Sequence, residues 1–136
     1  MRSFIILLCA VVLYTTSVSA QKAIDIPISV KGAFASEYAK ATKVKWEMED
    51  GNYEASFTNN GQQMSVVYNN TGQMQEVEVP IAITALPAAA KKFAESKGHI
   101  KDASKITLSD KTVHFEAEVN GKDIIFDEKG NVIKGK

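Results

Sequence analysis

The second half of this chain repeats the first. Tyr53-Glu54-Ala55-Ser56-Phe57 is followed by Asn60-Gly61 and then by Val67-Tyr68-Asn69-Asn70-Thr71-Gly72. Phe115-Glu116-Ala117-Glu118-Val119 is followed by Asn120-Gly121 and then by Ile125-Phe126-Asp127-Glu128-Lys129-Gly130. A proline and an alanine- and phenylalanine-rich stretch precede each copy, Pro27 to Phe34 and Pro87 to Phe93. Self-similarity on this scale means one supersecondary unit used twice, which limits the folds open to the chain.

Each unit begins with a helical period and then switches to a period of two. In the first, Val30, Ala33, Phe34, Tyr38 and Ala41 recur at helical spacing behind Pro27, predicting a helix from Ile28 to Thr42. Val44, Trp46 and Met48 then alternate with Lys43, Lys45, Glu47 and Glu49. Asp50-Gly51 is a two-residue hairpin signal, and Asn60-Gly61 is another. Between and beyond them, Tyr53, Ala55 and Phe57, then Met64, Val66 and Tyr68, then Val77 and Val79 alternate with polar residues. The second unit opens with a helix from Pro87 to about Lys97, its apolar side carried by Leu86, Ala90, Phe93 and Ala94. Strands follow from Ile106 and Leu108, through Val113 to Val119, through Ile124 to Phe126, and at Val132-Ile133.

Clean alternation over so many strands predicts antiparallel sheet with one face covered and one face wet. The only covers available are the two helices. The expected fold is therefore α+β: tandem α-β-β-β-β units, with helices packed on one face and the other face open. The repeats run over about 27–80 and 86–134. No linker rich in Pro, Gly or Ser separates them, so residues 21–136 read as one domain.

Residues 1–20 read as a signal peptide. Arg2 supplies the positive start, Phe4 to Tyr14 the apolar core, and Val18-Ser19-Ala20 the small-residue cleavage pattern. The apolar run is shorter than the roughly 20 residues of a membrane span. Cleavage after Ala20 removes Cys9, the only cysteine, so the exported chain has no disulfide, thiol nucleophile or thiolate metal site. Arg2 is the only arginine, and 16 basic residues balance 16 acidic ones in an interspersed pattern. A near-neutral chain lacking the residue best suited to phosphate and base recognition is not a nucleic-acid binder. Nor is it built for a membrane surface, and the expected location is the periplasm or the exterior.

The ordered run Ala33-Phe34, Tyr38, Val44-Lys45-Trp46-Glu47, Asp50-Gly51, Tyr53-Glu54-Ala55, Phe57, Asn60-Gly61, Tyr68, Gly72 and Leu86-Pro87 has a degenerate second copy ending in Phe126-Asp127-Glu128-Lys129-Gly130-Asn131. This pattern resembles the PepSY-like family, also described as beta-lactamase-inhibitor-like proteins. The resemblance implies a secreted bacterial protein of two helix-plus-sheet units with no established enzymatic activity. It also implies protein binding: PepSY modules are associated with restraint of secreted peptidases, and the inhibitor that lends its name grips an enzyme with a concave sheet. That inhibitor has a disulfide in each half, which this chain lacks, and only Asp50 in a hairpin is suggestive of its contact residues.

Parity places Glu47, Glu54, Glu116 and Glu118 on the open face, with His114 among them. Carboxylates beside a histidine can do acid–base work or hold a divalent ion. The competing reading is a solvated face with charge pairs to Lys43 and Lys45, and a flat, wet sheet would give catalytic groups little desolvation. His99 and His114 lack ligand spacing, no G-x-S-x-G is present, and the glycines fall singly at turns. Asp127 to Asn131 lacks the alternating ligands and closing glutamate of an EF-hand and reads as a turn. Trp46, Tyr53, Phe57, Phe115 and Phe126 fall by parity on the helix side, as core.

The reading that emerges is a non-enzymatic exported binding protein without a cofactor, whose partner is an unidentified protein such as a secreted or envelope enzyme. The expected contact residues are Lys45, Glu47, Glu54, Ser56, Ser65, Val67, His114, Glu116, Glu118 and Ile125. Val67 and Ile125 are apolar islands at equivalent repeat positions, as befits a contact centre. The alternative is a small-ligand or metal-sensing envelope protein using the Glu/His face. A hydrolase with a diffuse acidic site is a third reading.

Overall fold

Three hairpin tips share one backbone solution. Asp50-Gly51 has φ values of 47° and 82°, Asn60-Gly61 of 50° and 82°, and Asn120-Gly121 of 54° and 72°. Two consecutive positive φ angles make the tight turn whose twist matches that of the strands it joins. In the computed structural model, which describes residues 24–135, these tips help fold eight strands into a continuous meander. The expected signal peptide lies outside the described residues.

Helix α1 (Ile28–Glu37) leads into β1 (Thr42–Glu49), β2 (Asn52–Asn59), β3 (Gln62–Tyr68) and β4 (Met74–Pro80). A short 3-10 turn (Ile83–Ala85) and helix α2 (Ala88–Lys97) then lead into β5 (Ile100–Leu108), β6 (Val113–Val119), β7 (Lys122–Phe126) and β8 (Val132–Gly135). All eight strands form one antiparallel sheet in chain order. β4 pairs with β5, Val77 opposite Thr107 and Glu78 opposite Ile106, so no sheet edge separates the halves.

The buried residues fall into two clusters. Val30 and Phe34 of α1 join Ala55, Phe57, Val66 and Tyr68. Ala90 and Ala94 of α2 join Ala103, Ala117, Val119 and Phe126. The Ala90/Ala94 pair lies one helical turn apart and is wholly buried, and side chains this small let a helix backbone sit close to a sheet. In the first cluster, the Phe34 and Phe57 rings meet nearly perpendicular at 5.0 Å, and Tyr38 stacks tilted on Phe57 at 4.7 Å. Burial of the Tyr68 hydroxyl, with Glu37 beside it, raises its pKa; it stays a donor, bonding to Glu37 Oε2 at 3.1 Å.

Two local expectations are corrected. The first helix stops at Glu37, five residues short of Thr42, because Tyr38 leaves helical geometry (φ −121°, ψ 51°) and turns its ring into the aromatic cluster. The expected burial of Val44, Trp46 and Met48 together is also corrected. β1 is an edge strand with a register shift between Thr42 and Lys45, where Lys43 has a φ of 55°. Val44 and Met48 are exposed, and only Trp46 packs inward, half-buried against Phe34. A bulge carrying lysine blunts an edge that could otherwise pair with another chain.

Candidate functional site

On the face opposite the two clusters, the cross-strand register lines up a second set of side chains. Lys45 lies opposite Ser56, and Ser56 opposite Ser65. Glu47 lies opposite Glu54, Glu54 opposite Val67, and Val67 opposite Glu76. Glu78 lies opposite Ile106 and Ile106 opposite His114, while Glu116 lies opposite Ile125. Strict alternation puts all of these on one side.

This face is concave. Residues from β1 to β7 line one groove of about 380 Å³. Flat strands spaced about 4.8 Å apart would hold those two strands too far apart to share a groove, so the sheet curls. Register shifts in β1/β2, β3/β4, β5/β6 and β7/β8 accompany the curl, as bulges increase local twist.

The floor of the groove is apolar. Val67 is 6% exposed and Ile106 7%, and Ile125 is half-buried. Val67 therefore lies on the expected face, but beneath its surface rather than facing out. The walls are acidic: Glu54, Glu76, Glu78 and Glu116 towards the centre, Glu49, Asp50 and Asp123 towards the rim, with His114 among them. Burial raises the pKa of the Glu54 carboxyl; a hydrogen bond from Ser65 opposes this, and the charges of Glu49, Glu78 and Glu47 add to it.

The Glu54 shift has a definite sign. The folded protein holds this proton more tightly than the unfolded chain, so stability falls as pH rises from the ordinary glutamate range through the raised folded value. Above that value the cost is constant. Glu54→Gln is therefore expected to melt at a higher temperature than the wild type at pH 7. The difference should shrink as pH falls and vanish below the ordinary glutamate range. Melting curves across pH check this, and an equal or lower melting temperature at pH 7 would contradict it.

Of the expected contact residues, Glu54, Val67, His114, Glu116 and Ile125 meet in the groove. Lys45, Ser56 and Ser65 border a neighbouring depression that shares Glu54 and Glu78. Glu47 and Glu118 flank the groove without lining it; lysines hold them, Lys45 at 2.5 Å and Lys101 at 3.1 Å. Sequence reasoning left out Glu76, Glu78, Ile106 and Asp123. The alternation of Glu76 and Glu78 with Val77 was the available signal for the first two. For Ile106 the signal was absent, since only its register with His114 shows that it faces the groove.

Among the described residues, no group of three His, Cys, Asp or Glu side chains converges as a metal-binding set. The Asp127 carboxylate accepts hydrogen bonds from the backbone N–H of Lys129 and Asn131 at 2.9 and 2.8 Å, closing a turn. Among the described residues no helix is long and apolar enough to cross a membrane.

Solved structures share this architecture. One from Bacteroides eggerthii, described as "putative periplasmic proteins", is 21% identical with a TM-score of 0.70, covering 82% of this chain and 88% of that one. A DUF2874 family protein from Bacteroides uniformis is 21% identical with a TM-score of 0.68, covering 81% and 88%. A BLIP-like protein from Bacteroides fragilis is 22% identical with a TM-score of 0.63, covering 85% and 88%. At these identities the likeness is one of fold. No functionally curated protein matches the chain. A family model described as "Putative beta-lactamase-inhibitor-like, PepSY-like" matches residues 16–76 and again 51–134. Two matches that together span residues 16–134 place this chain in the PepSY-like family.

Proposed function

We propose that the chain is an exported, non-enzymatic binding protein that restrains a secreted or envelope enzyme through the concave face of its sheet. In this reading it is built from two copies of one helix-plus-four-strand unit, with the helices covering the convex face and leaving the concave one free. The observation that carries it is the groove itself: one recess lined by strands of both halves, with buried apolar residues at its floor and polar walls. An apolar centre ringed by polar groups is the usual anatomy of a protein-binding patch. Membership of an inhibitor-like family supports the choice of an enzyme as partner, and a neighbour described as periplasmic supports export.

Affinity capture from the source organism's envelope and secreted proteins tests the reading. The wild type is expected to retain one stoichiometric enzyme and to lower its activity on titration. Ile125→Arg and Ser65→Arg are expected to lose it, whereas Lys92→Glu, on the exposed side of α2, is expected to keep it. Retention by both of these concave-face variants, or loss only with Lys92→Glu, would overturn the choice of face.

A further inference from the structure

Resting on that reading, we propose that the partner enters the groove with a basic segment, its lysine or arginine side chains against the acidic walls and a neighbouring aliphatic side chain on the Val67–Ile106–Ile125 floor.

Charge complementarity decides the occupant. Among the described side chains that line the groove, seven are carboxylates, His114 is the only basic one and none is a lysine. Lys45 and Lys101 lie outside the groove, Lys45 on Glu47 and Lys101 on Glu118 and Asp102. The field inside is already felt by the protein: mutual repulsion with Glu49, Glu78 and Glu47 adds to burial in resisting ionisation of Glu54. A cation placed between these groups relieves that repulsion, whereas an anion adds to it. Acidic walls also draw basic partners from a distance and speed their docking.

The floor narrows the class further. Val67 and Ile106 are more than nine-tenths buried on the side of the sheet away from both helices, so they form a dry patch beneath the acidic walls. A bare divalent ion gains nothing from such a patch and finds no three-ligand set among the described residues. A small molecule is held best in a walled pocket that buries most of it, and this recess is an open trough crossing several strands. A protein segment presenting positive charge beside an aliphatic side chain uses both features.

Synthetic peptides test the chemistry directly by isothermal titration onto the purified protein. One alternates lysine with leucine, a second glutamate with leucine, and a third lysine with glycine. The lysine–leucine peptide is expected to bind and the other two to bind at least about tenfold more weakly. Its affinity should fall by about tenfold in the Glu54→Gln/Glu78→Gln variant, and again as salt rises from about 0.05 to about 0.5 M. Both substitutions preserve shape, and a thermal melt checks that the variant is folded. Equal binding of the glutamate peptide, no effect of the double substitution, or no binding of the lysine–leucine peptide would overturn the proposal. Equal binding of the lysine–glycine peptide would remove the role of the floor. Calcium or zinc binding that excludes the peptide would make the groove a metal site and overturn it as well. If the captured enzyme is lost with Ile125→Arg but held at full affinity by Glu54→Gln/Glu78→Gln, the basic-segment proposal fails while the binding face stands.

Discussion

Gly130→Ala is expected to destabilise the protein by about 3 kcal/mol, while Gly61→Ala costs about 1 kcal/mol. Both glycines have left-handed backbone, φ 84° and 82°. A Cβ at Gly61 meets nothing within 4 Å, so only the conformational cost remains. A Cβ at Gly130 would lie 2.6 Å from the Ala90 backbone nitrogen and 2.9 Å from Ala89 Cβ. These are atoms of the first turn of α2, and they cannot yield without moving the helix off its alanine-lined seat. Gly72 repeats the arrangement in the first half, its Cβ position 2.6 Å from the Ser29 carbonyl oxygen of α1. The two turns are built alike. The Asn69 and Asp127 side-chain oxygens each accept two backbone N–H bonds, and each residue's carbonyl accepts from the glycine N–H at 3.0 Å. Urea unfolding of the two variants decides the matter; equal losses at both positions would mean that the turn does not bear on the helix.

Phe126→Ala is expected to cost about 4 kcal/mol. Phe126 is fully buried, sits among Ala90, Ala94 and Ala117, and meets the Phe93 ring edge-on at 6.1 Å. Its alanine neighbours are small and backbone-anchored, so they cannot collapse into the space a removed ring leaves. Ile133→Ala, at a half-exposed position on β8, is expected to change stability by no more than about 0.5 kcal/mol. The loss at Phe126 approaches the whole stability of an ordinary domain. Trp46, the only tryptophan, packs with the other cluster. Because β4 and β5 join the halves in one sheet, its fluorescence is expected to change at the same denaturant midpoint as the circular dichroism, in the variant as in the wild type. Two separate midpoints would show that the halves unfold independently.

The number of strands, their hairpins and the two helix positions were legible because the signals are local. Asp50-Gly51, Asn60-Gly61 and Asn120-Gly121 state their turns outright, and period-two alternation separates Phe57 and Ala117 from Glu54 and Glu116. The end of α1 was not legible, since Tyr38 leaves the helix for a ring contact with Phe57, a residue distant in sequence. Ile106 was illegible for a similar reason. A strand buried on both faces carries apolar residues on each, and only pairing with His114 and Glu78 reveals which side Ile106 takes. The curl that turns a wet face into a groove depends on all eight strands at once, and no window of the chain encodes it. The candidate contact residues were therefore found as a face, and Glu78 and Ile106 joined them only when that face closed into a groove.

A photo-crosslinking amino acid placed at Ser65, at Ile125 and, as the comparison, at Lys92 tests the central claim most directly. The variants are expressed in the source organism and irradiated in intact cells. The account predicts that Ser65 and Ile125 capture the same enzyme and that Lys92 captures none. Capture from Lys92 alone, or different proteins from the two concave-face positions, would contradict it.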